Sequence, residues 1–482
     1  MIEKRQFYID GAWVEPVAGT ACEVTNPATE EPCATISLGG QADTDAAVAA
    51  ARRAFPGWMA TPPEERIALL EKLLTIYKAR WEEMAQAISL EMGAPIDLAR
   101  KAQTGAGYGH LKDFVRTGKA FAFERPLGDH APNDRIIYEP IGVAAMITPW
   151  NWPMNQITLK FGAAVVAGCT MVLKPSEEAP LNAMLFAEMV HEAGFPPGVF
   201  NLVNGDGAGV GTQLSGHPEV DIVSFTGSTR AGVQISKTAA DTLKKVHLEL
   251  GGKGANLIFA DADAGAVERG VLDMMQNTGQ SCNAPSRMMV ERSVYERTVE
   301  AAAEIAGRVA VGPPAEAGDH IGPLINARQF DKVQDLIQAG IDEGARLVAG
   351  GPGRPEGMNR GYFARPTVFA DVAPGMRIER EEIFGPVLSI IPFEDEAEAV
   401  RIANDTDYGL TNFVQTADPE RANRLARQLR SGMVEMNGHG GGGGRPFGGM
   451  KRSGQGREGG VWGVEDFMEV KAVSGWDAAD PS

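Results

Sequence analysis

Residues 141–178 read IGVAAMITPWNWPMNQITLKFGAAVVAGCTMVLKPSEE. Two short apolar runs, IGVAAMI (141–147) and TMVLK (170–174), bracket a helical pattern near 157–167. The alternation continues through a helix near 181–193, VFNLV (199–203), DIVSF (221–225) and another helix. Such runs, separated by helical crossovers, are the signature of a parallel sheet covered on both faces. The first half of the chain is thus a doubly wound nucleotide-binding candidate. A second series begins with ANLIFA (255–260) and continues through RMMVE (287–291), a helix around Val333, VLSIIPF (387–393) and helices near 397–404 and 419–430. It reads as a second α/β domain.

Upstream, Ile67, Leu70, Leu74, Tyr77, Trp81, Met84 and Ile88 recur every three or four residues, which predicts one long helix. Pro62 and Pro63 fit its first turn, and Gly93 with Pro95 stops it. Asp43 is a candidate cap for a shorter helix running to about Phe55. The glycine run 440–444 reads as a mobile loop rather than a linker, because structured motifs resume after it.

A chain of 482 residues, 44% hydrophobic, can bury two or three cores. Its four cysteines, Cys22, Cys33, Cys169 and Cys282, are scattered without a CxxC pair, which suits a reducing compartment. The opening MIEKRQFYIDGAW is charged where a signal peptide would be apolar, and the longest strongly apolar stretch, 163–173, is too short to span a bilayer. A cytoplasmic location is expected. With 63 acidic against 45 basic residues the net charge is −18, which repels nucleic acid and anionic membrane surfaces. The seven histidines form no HExxH motif or zinc-ligand spacing, so no metal is expected.

Two glycine motifs are decoys. GDGAGVG (205–211) follows a strand but lacks the GxGxxG spacing, and GGKG (251–254) lacks the Ser or Thr that a P-loop needs for magnesium. A sharper signal is DIVSF followed by Thr226, Gly227, Ser228 and Thr229, where a strand turns into a helix. Amides and helix dipole there would hold a pyrophosphate, or the segment is an ordinary turn. Cys169, entering a strand, fits a small buried hydrophobe. Cys282 follows the small, polar Thr278-Gly279-Gln280-Ser281, read here as an exposing loop, and is the better nucleophile candidate. Glu249 lies in the apolar strand pattern VHLEL (246–250). It is either a desolvated carboxylate raised toward a useful base or a solvated strand end, and His247 beside it reads as a facing or surface residue.

Together YIDGAW (8–13), NPATEE (26–31), PWNWP (149–153), LKPSE (173–177), FTGST (225–229), LELGGK (248–253), GQSCNA (279–284), EEIFGPV (381–387) and PFGGMKRSGQGRE (446–458) resemble the aldehyde dehydrogenase superfamily. The resemblance implies an α/β fold with a variant Rossmann cofactor domain (1–117 and 141–251), a second α/β catalytic domain (252–462) and a small β oligomerisation module (118–140 and 463–482). It also implies a homodimer or homotetramer. Cys282 resembles the nucleophile that attacks the aldehyde, and Asn151 with the Cys282 backbone N–H resembles the oxyanion hole. Glu249 resembles the base that activates water to hydrolyse the thioester. Lys160 and Glu458 match positions that support water or proton transfer.

For an NAD cofactor, the resemblance places the pyrophosphate near Gly227 and Ser228, the adenosine ribose near Lys174 and Glu177, and the nicotinamide ribose near Glu382. Ile147, Trp150, Gly207, Leu250 and Phe384 line the cleft. Glu177 would bond a ribose hydroxyl and repel a 2′-phosphate, which favours NAD, while Lys174 leaves room for NADP. Trp152, Gln156, Leu159, Gln276 and Asn283 match positions facing the aldehyde tunnel. MVEMNGHGGGGGRPFGG (433–449) departs from the family pattern by placing His439 and glycines where bulky residues are common. A shorter, more flexible wall and a bulky aromatic or terpenoid aldehyde are expected. The alternatives are a CoA-acylating relative, which Glu249 argues against, and a non-catalytic use of the scaffold, which the intact Cys282, Asn151 and Glu249 argue against.

Overall fold

The computed structural model describes residues 1–476. In the first half, β1 (Val143–Ile147), β2 (Thr170–Lys174), β3 (Phe200–Leu202), β4 (Ile222–Thr226) and β5 (Lys245–Glu249) form one parallel sheet in the order β3-β2-β1-β4-β5. Every residue of β1 to β4 is buried, as their continuous apolar runs predicted. Antiparallel strands Phe7–Ile9 and Ala12–Val14 extend the β3 edge, and Gly454–Gln455 pairs outside β5. The helices α1 (Pro153–Ala167), α2 (Leu181–Ala193) and α3 (Thr229–Ala239) supply the crossovers. Only Asn155 of α1 escapes full burial, and Gly168, at φ +94°, ends that helix in a left-handed turn.

Strand order reverses between β1 and β4, so the carboxyl ends of these strands open a crevice at which ligands bind in sheets of this kind. The chain leaves β5 and enters the second sheet within a few residues. That sheet holds β6 (Ala255–Ile258), β7 (Arg287–Glu291), β8 (Thr367–Ala370), β9 (Val387–Phe393), β10 (Thr411–Gln415) and β11 (Met433–Met436), in the order β8-β9-β7-β6-β10-β11. All six are parallel; Arg346–Ala349 adds an antiparallel edge beside β8. Helices α4 (Ala266–Met275) and α5 (Ala327–Asp342) belong to this half. β5 feeds β6 directly, and β6 lies inside the second sheet, between β7 and β10.

Strands Glu124–Gly128, Ala131–Pro140 and Met468–Ser474 form a separate antiparallel sheet with mostly exposed or half-buried side chains. Residues 477–482, assigned by resemblance to the same module, lie outside the described residues. Among the described residues no helix is long and apolar enough to cross a membrane.

Two sequence expectations are corrected. The stripe from Ile67 to Ile88 lies on two helices, Pro63–Ala79 and Trp81–Met92, because Arg80 leaves helical geometry at φ −102°, ψ 22°. Its guanidinium is held by Glu83 at 2.8 Å and Glu188 at 2.9 Å, and an apolar stripe continues across such a break without revealing it. Gly93 does end the second helix, in the left-handed conformation. Asp43 is not the N-cap residue, which is Gly40, but the third residue of the helix Gln41–Met59, and its carboxylate still caps the helix start by accepting from the N–H groups of Gly40 at 2.9 Å and Val17 at 2.8 Å. That helix runs through Pro56 and past Phe55.

Candidate active site

Cys282 stands in the loop between α4 and β7, and the route to it is unusual. Asn277, Thr278 and Gly279 have φ of 51°, 60° and 69°, a left-handed run that a β-branched Thr adopts only when its surroundings over-determine it. They do so through hydrogen bonds. Thr278 Oγ1 donates to Gly322 O at 2.9 Å, and Asn277 Nδ2 donates to Asn151 O at 2.9 Å. Gln280 Nε2 donates to Asn277 O at 3.1 Å while its Oε1 accepts from Ile325 N at 3.0 Å. Residues 278–280 are therefore buried, contrary to the exposing loop expected from their small polar side chains. Cys282 itself is half-buried at the meeting point of two cavities. Burial pushes its thiol well above the ordinary value, and the carboxylates of Glu382 and Glu249 add to the rise.

Asn151 follows β1 and is buried. One of its amide hydrogens goes to Gln280 O at 2.9 Å, tying it to the Cys282 loop, and the other has no partner among the described residues. Glu249 ends β5, buried rather than solvated. Its Oε1 lies 3.3 Å from His247 Nε2, and its Oε2 has no partner among the described residues. Burial raises the Glu249 carboxyl above the usual range; the His247 bond opposes this and the nearby Glu458 reinforces it. Lys160 Nζ donates to Glu458 Oε1 at 2.6 Å and to Ser224 Oγ at 3.1 Å, all within the interior. His247, read from sequence as a facing or surface residue, is in fact buried, with Nδ1 2.5 Å from Asp466 Oδ2. Burial alone would lower its imidazole, yet the contacts with Asp466 and Glu249 lift it to about 9.

A cleft of about 160 Å³ joins Trp150, Asn151, Gly227, Ser228, Glu249, Leu250, Cys282, Glu382 and Phe384. Trp150 and Phe384 meet edge to face, with ring centroids 5.6 Å apart. Ser228 caps α3, its Oγ accepting from Ala231 N, and the Thr226 hydroxyl beside it is buried without a partner among the described residues. Glu382 Oε1 accepts from Gly252 N at 2.8 Å. Ile147, Lys174, Glu177 and Gly207 lie outside this cleft. Ile147 and Lys174 end the adjacent strands β1 and β2, Lys174 pairs with Glu177 at 3.1 Å, and Gly207 is an exposed residue just after β3. The sequence reading missed Gln329 and Lys332 of α5, which reach the same cleft, and no motif marks them. Lys332 Nζ donates to Glu382 O at 2.7 Å.

On the other side of Cys282 a tunnel of about 570 Å³ is lined by Trp152, Gln156, Leu159, Gln276 and Asn283, with Glu458 and residues 440–444 on its walls. Trp152 Nε1 donates to Ser281 Oγ at 2.7 Å. His439 is exposed at the turn before the glycines and lies outside the lining. His110, Asp113, Phe413 and Glu435 line the tunnel without having been singled out in the sequence; they come from three separate segments, the first two from one helix, Thr104–Ala120.

Residues 13–473 match the model of the aldehyde dehydrogenase family. The chain belongs to this family. It is 52% identical over 481 residues to 3-succinoylsemialdehyde-pyridine dehydrogenase of a Pseudomonas species, covering 99% of this chain and all of that one. The crystal structure of an aldehyde dehydrogenase from Bartonella henselae superposes with a TM-score of 0.98 at 57% identity, covering 98% of this chain and all of the other. A mutant of aldehyde dehydrogenase C from Pseudomonas syringae, solved with NAD+ and octanal, superposes at 0.96 with 49% identity, covering 99% and 97% of the two chains. The fold expected from the motifs is the fold of these relatives.

Proposed function

We propose that this family member oxidises an aldehyde to its carboxylic acid through a thioester on Cys282, with NAD as the hydride acceptor. The observation that carries the reading is convergence: Cys282, Asn151 and Glu249, from three separate segments, meet where the cleft adjoins the tunnel. Cys282 Sγ forms a bond to the carbonyl carbon as its proton leaves. The resulting oxyanion accepts from the free Asn151 amide hydrogen and the Cys282 backbone N–H. Glu249 then removes a proton from water as water attacks the thioester carbonyl and the thiolate departs.

The cleft suits a dinucleotide: Ser228 offers its amide at the start of α3, beside Gly227, whose own N–H is taken by Glu249 O at 2.9 Å; the Thr226 hydroxyl, without a partner among the described residues, adjoins them, and Glu382 supplies an acceptor for hydroxyls. When bound, NAD supplies the hydride acceptor. Glu177 engages the Lys174 ammonium, which supports NAD over NADP. The aromatic and polar tunnel walls fit a bulky aromatic aldehyde, in keeping with the pyridine-bearing name of the 52% identical relative. We also assign the exposed three-stranded sheet to assembly into a homodimer or homotetramer, and the two larger sheets to the cofactor and catalytic domains.

The test is NADH formation against aliphatic, aromatic and terpenoid aldehydes, without CoA, for the native protein and Cys282→Ala. Acid formed from aromatic substrates and lost in the variant is expected. Turnover surviving the substitution, or appearing only with CoA, would overturn the thioester-hydrolysis reading.

A further inference from the structure

The substrate tunnel has two distinct ends. Cys282, Gln156 and Thr226 also border the cofactor cleft, whereas Asp273 and Gln276 also border a separate cavity of about 960 Å³. Asp273 and Gln276 stand three residues apart where α4 ends, so they share a face. A substrate whose aldehyde carbon reaches Cys282 therefore extends along the tunnel toward Asp273.

The charges of the wall are unequally matched. Four carboxylates line it, those of Asp113, Asp273, Glu435 and Glu458. Glu458 is held by Lys160 at 2.6 Å, Glu435 by Arg445 at 2.7 Å and Asp113 by Arg116 at 3.5 Å. Arg445 is the only lysine or arginine of the lining among the described residues, and Glu435 occupies it. His110 adds no charge, because burial lowers its imidazole, whose Nε2 lies 2.7 Å from Asn155 Oδ1. Asp273 is left without an ion pair or a side-chain hydrogen bond among the described residues. Partial burial and the Glu435 carboxylate raise its carboxyl, and Arg269, spent on Asp263 at 2.5 and 2.8 Å, does not offset them. Gln156 supplies a second unmet acceptor in the same tunnel: it is 3% exposed, and its Oε1 has no partner among the described residues. An acceptor left so is destabilising until a donor meets it.

We propose that the tunnel selects an aromatic aldehyde carrying a basic nitrogen remote from the aldehyde group, bound as its ammonium to Asp273. The inference rests on the aldehyde-oxidising reading of Cys282. An ammonium brings both the charge that Asp273 lacks and an N–H to donate, and the rings of Trp152 and Phe413 in the wall add attraction for a cation. A carboxylate-bearing aldehyde meets an unpaired like charge instead, which selects against it. Asp273 touches the far end of the substrate and not the reacting carbon. It is a specificity-determining residue, read out in the ratio of kcat/KM between substrates.

The experiment measures kcat/KM of the native enzyme and Asp273→Asn for three aldehydes of similar shape. They are para-(dimethylaminomethyl)benzaldehyde, cationic at neutral pH, its neutral isostere para-isobutylbenzaldehyde, and para-(carboxymethyl)benzaldehyde. Comparing each ratio between the two proteins cancels the intrinsic reactivity of the aldehydes. The cationic-to-neutral ratio is expected to fall about tenfold in Asp273→Asn, the worth of a hydrogen bond to a charged group, and the carboxylate-to-neutral ratio to rise. In the native enzyme the cationic-to-neutral ratio should also fall as salt is raised, a readout that needs no variant to fold. Ratios unchanged by Asp273→Asn and indifferent to salt, with the neutral aldehyde still oxidised through Cys282, would overturn the selection and leave the oxidation standing. Equal losses for all three aldehydes in Asp273→Asn would overturn it too, as a structural effect. NADH formed from none of the three, or formed equally by Cys282→Ala, would instead overturn the reading on which the selection rests.

Discussion

Asn151→Ala separates catalysis from packing at the site. The native amide has two hydrogens, and one is spent on Gln280 O at 2.9 Å, so a single donor remains for the oxyanion. Removing one such donor costs about 10²–10³ in kcat, or roughly 2.7–4 kcal/mol. The same substitution strips the Gln280 carbonyl of a partner in a buried loop, a loss of about 1–3 kcal/mol of stability in general. Here Asn277 Nδ2 also donates to Gln280 O, at 3.3 Å, which places the cost at the low end, about 1 kcal/mol. Single-turnover NADH formation should therefore slow by two to three orders of magnitude, roughly the donor's worth, while the thermal midpoint falls only slightly. A single-turnover rate within a few-fold of native would refute the oxyanion assignment. A slow rate accompanied by a collapsed midpoint would show that Asn151 holds the loop rather than the transition state.

Three further outcomes are expected. Turnover needs Glu249 as carboxylate, and burial holds that group above the ordinary range, so kcat should rise with pH along an acid limb lying above about 4.3; a rate independent of pH from there to neutrality would contradict this. Arg287 is fully buried and donates to Lys253 O at 2.9 and 3.1 Å, Ala403 O at 3.0 Å, Ile402 O at 3.2 Å and Glu379 Oε1 at 3.2 Å. Arg287→Met should cost about 3 kcal/mol in denaturant unfolding, the low end for a broken buried pair because Arg380 remains 2.7 Å from Glu379; a loss under about 1 kcal/mol would show the network relaxes freely. Gly442 has open space where a side chain would begin, so Gly442→Leu should fold normally and lower kcat/KM for bulky aromatic aldehydes while sparing acetaldehyde; equal effects on both would remove residues 440–444 from substrate selection.

The parallel strands were legible because burial on both faces leaves a continuous apolar run, and that run is a property of the segment alone. RMMVE and VLSIIPF coincide with β7 and β9 to the residue. The break at Arg80 was not legible, since side-chain periodicity records which residues face inward and not whether the axis bends between them. The Cys282 loop misled for a different reason. Small polar residues read as exposed, but Thr278 and Gln280 are buried by bonds to Gly322, Pro323 and Ile325, partners distant in the chain. The same holds for His247. Its two-residue spacing from Glu249 was visible in the strand, whereas the charge on its ring depends on Asp466, which folding alone brings to it.

The division of the site between two sheets explains why so much of it is held by backbone contacts. The base ends β5, the nucleophile precedes β7, and between them the chain at Gly252 passes so close to Cys282 O that a Cβ there would stand 2.3 Å from it. Glu382, from the segment before β9, accepts from Gly252 N and fixes the same turn from the cofactor side. A shift of about 1 Å in a reacting group costs on the order of 10²-fold in rate. Two half-sites carried on separate sheets would drift by that much if only long side chains joined them. The glycine turn removes this slack by letting main chain rest on main chain, which is why the least chemically active residues of LELGGK set the distance over which Glu249 works.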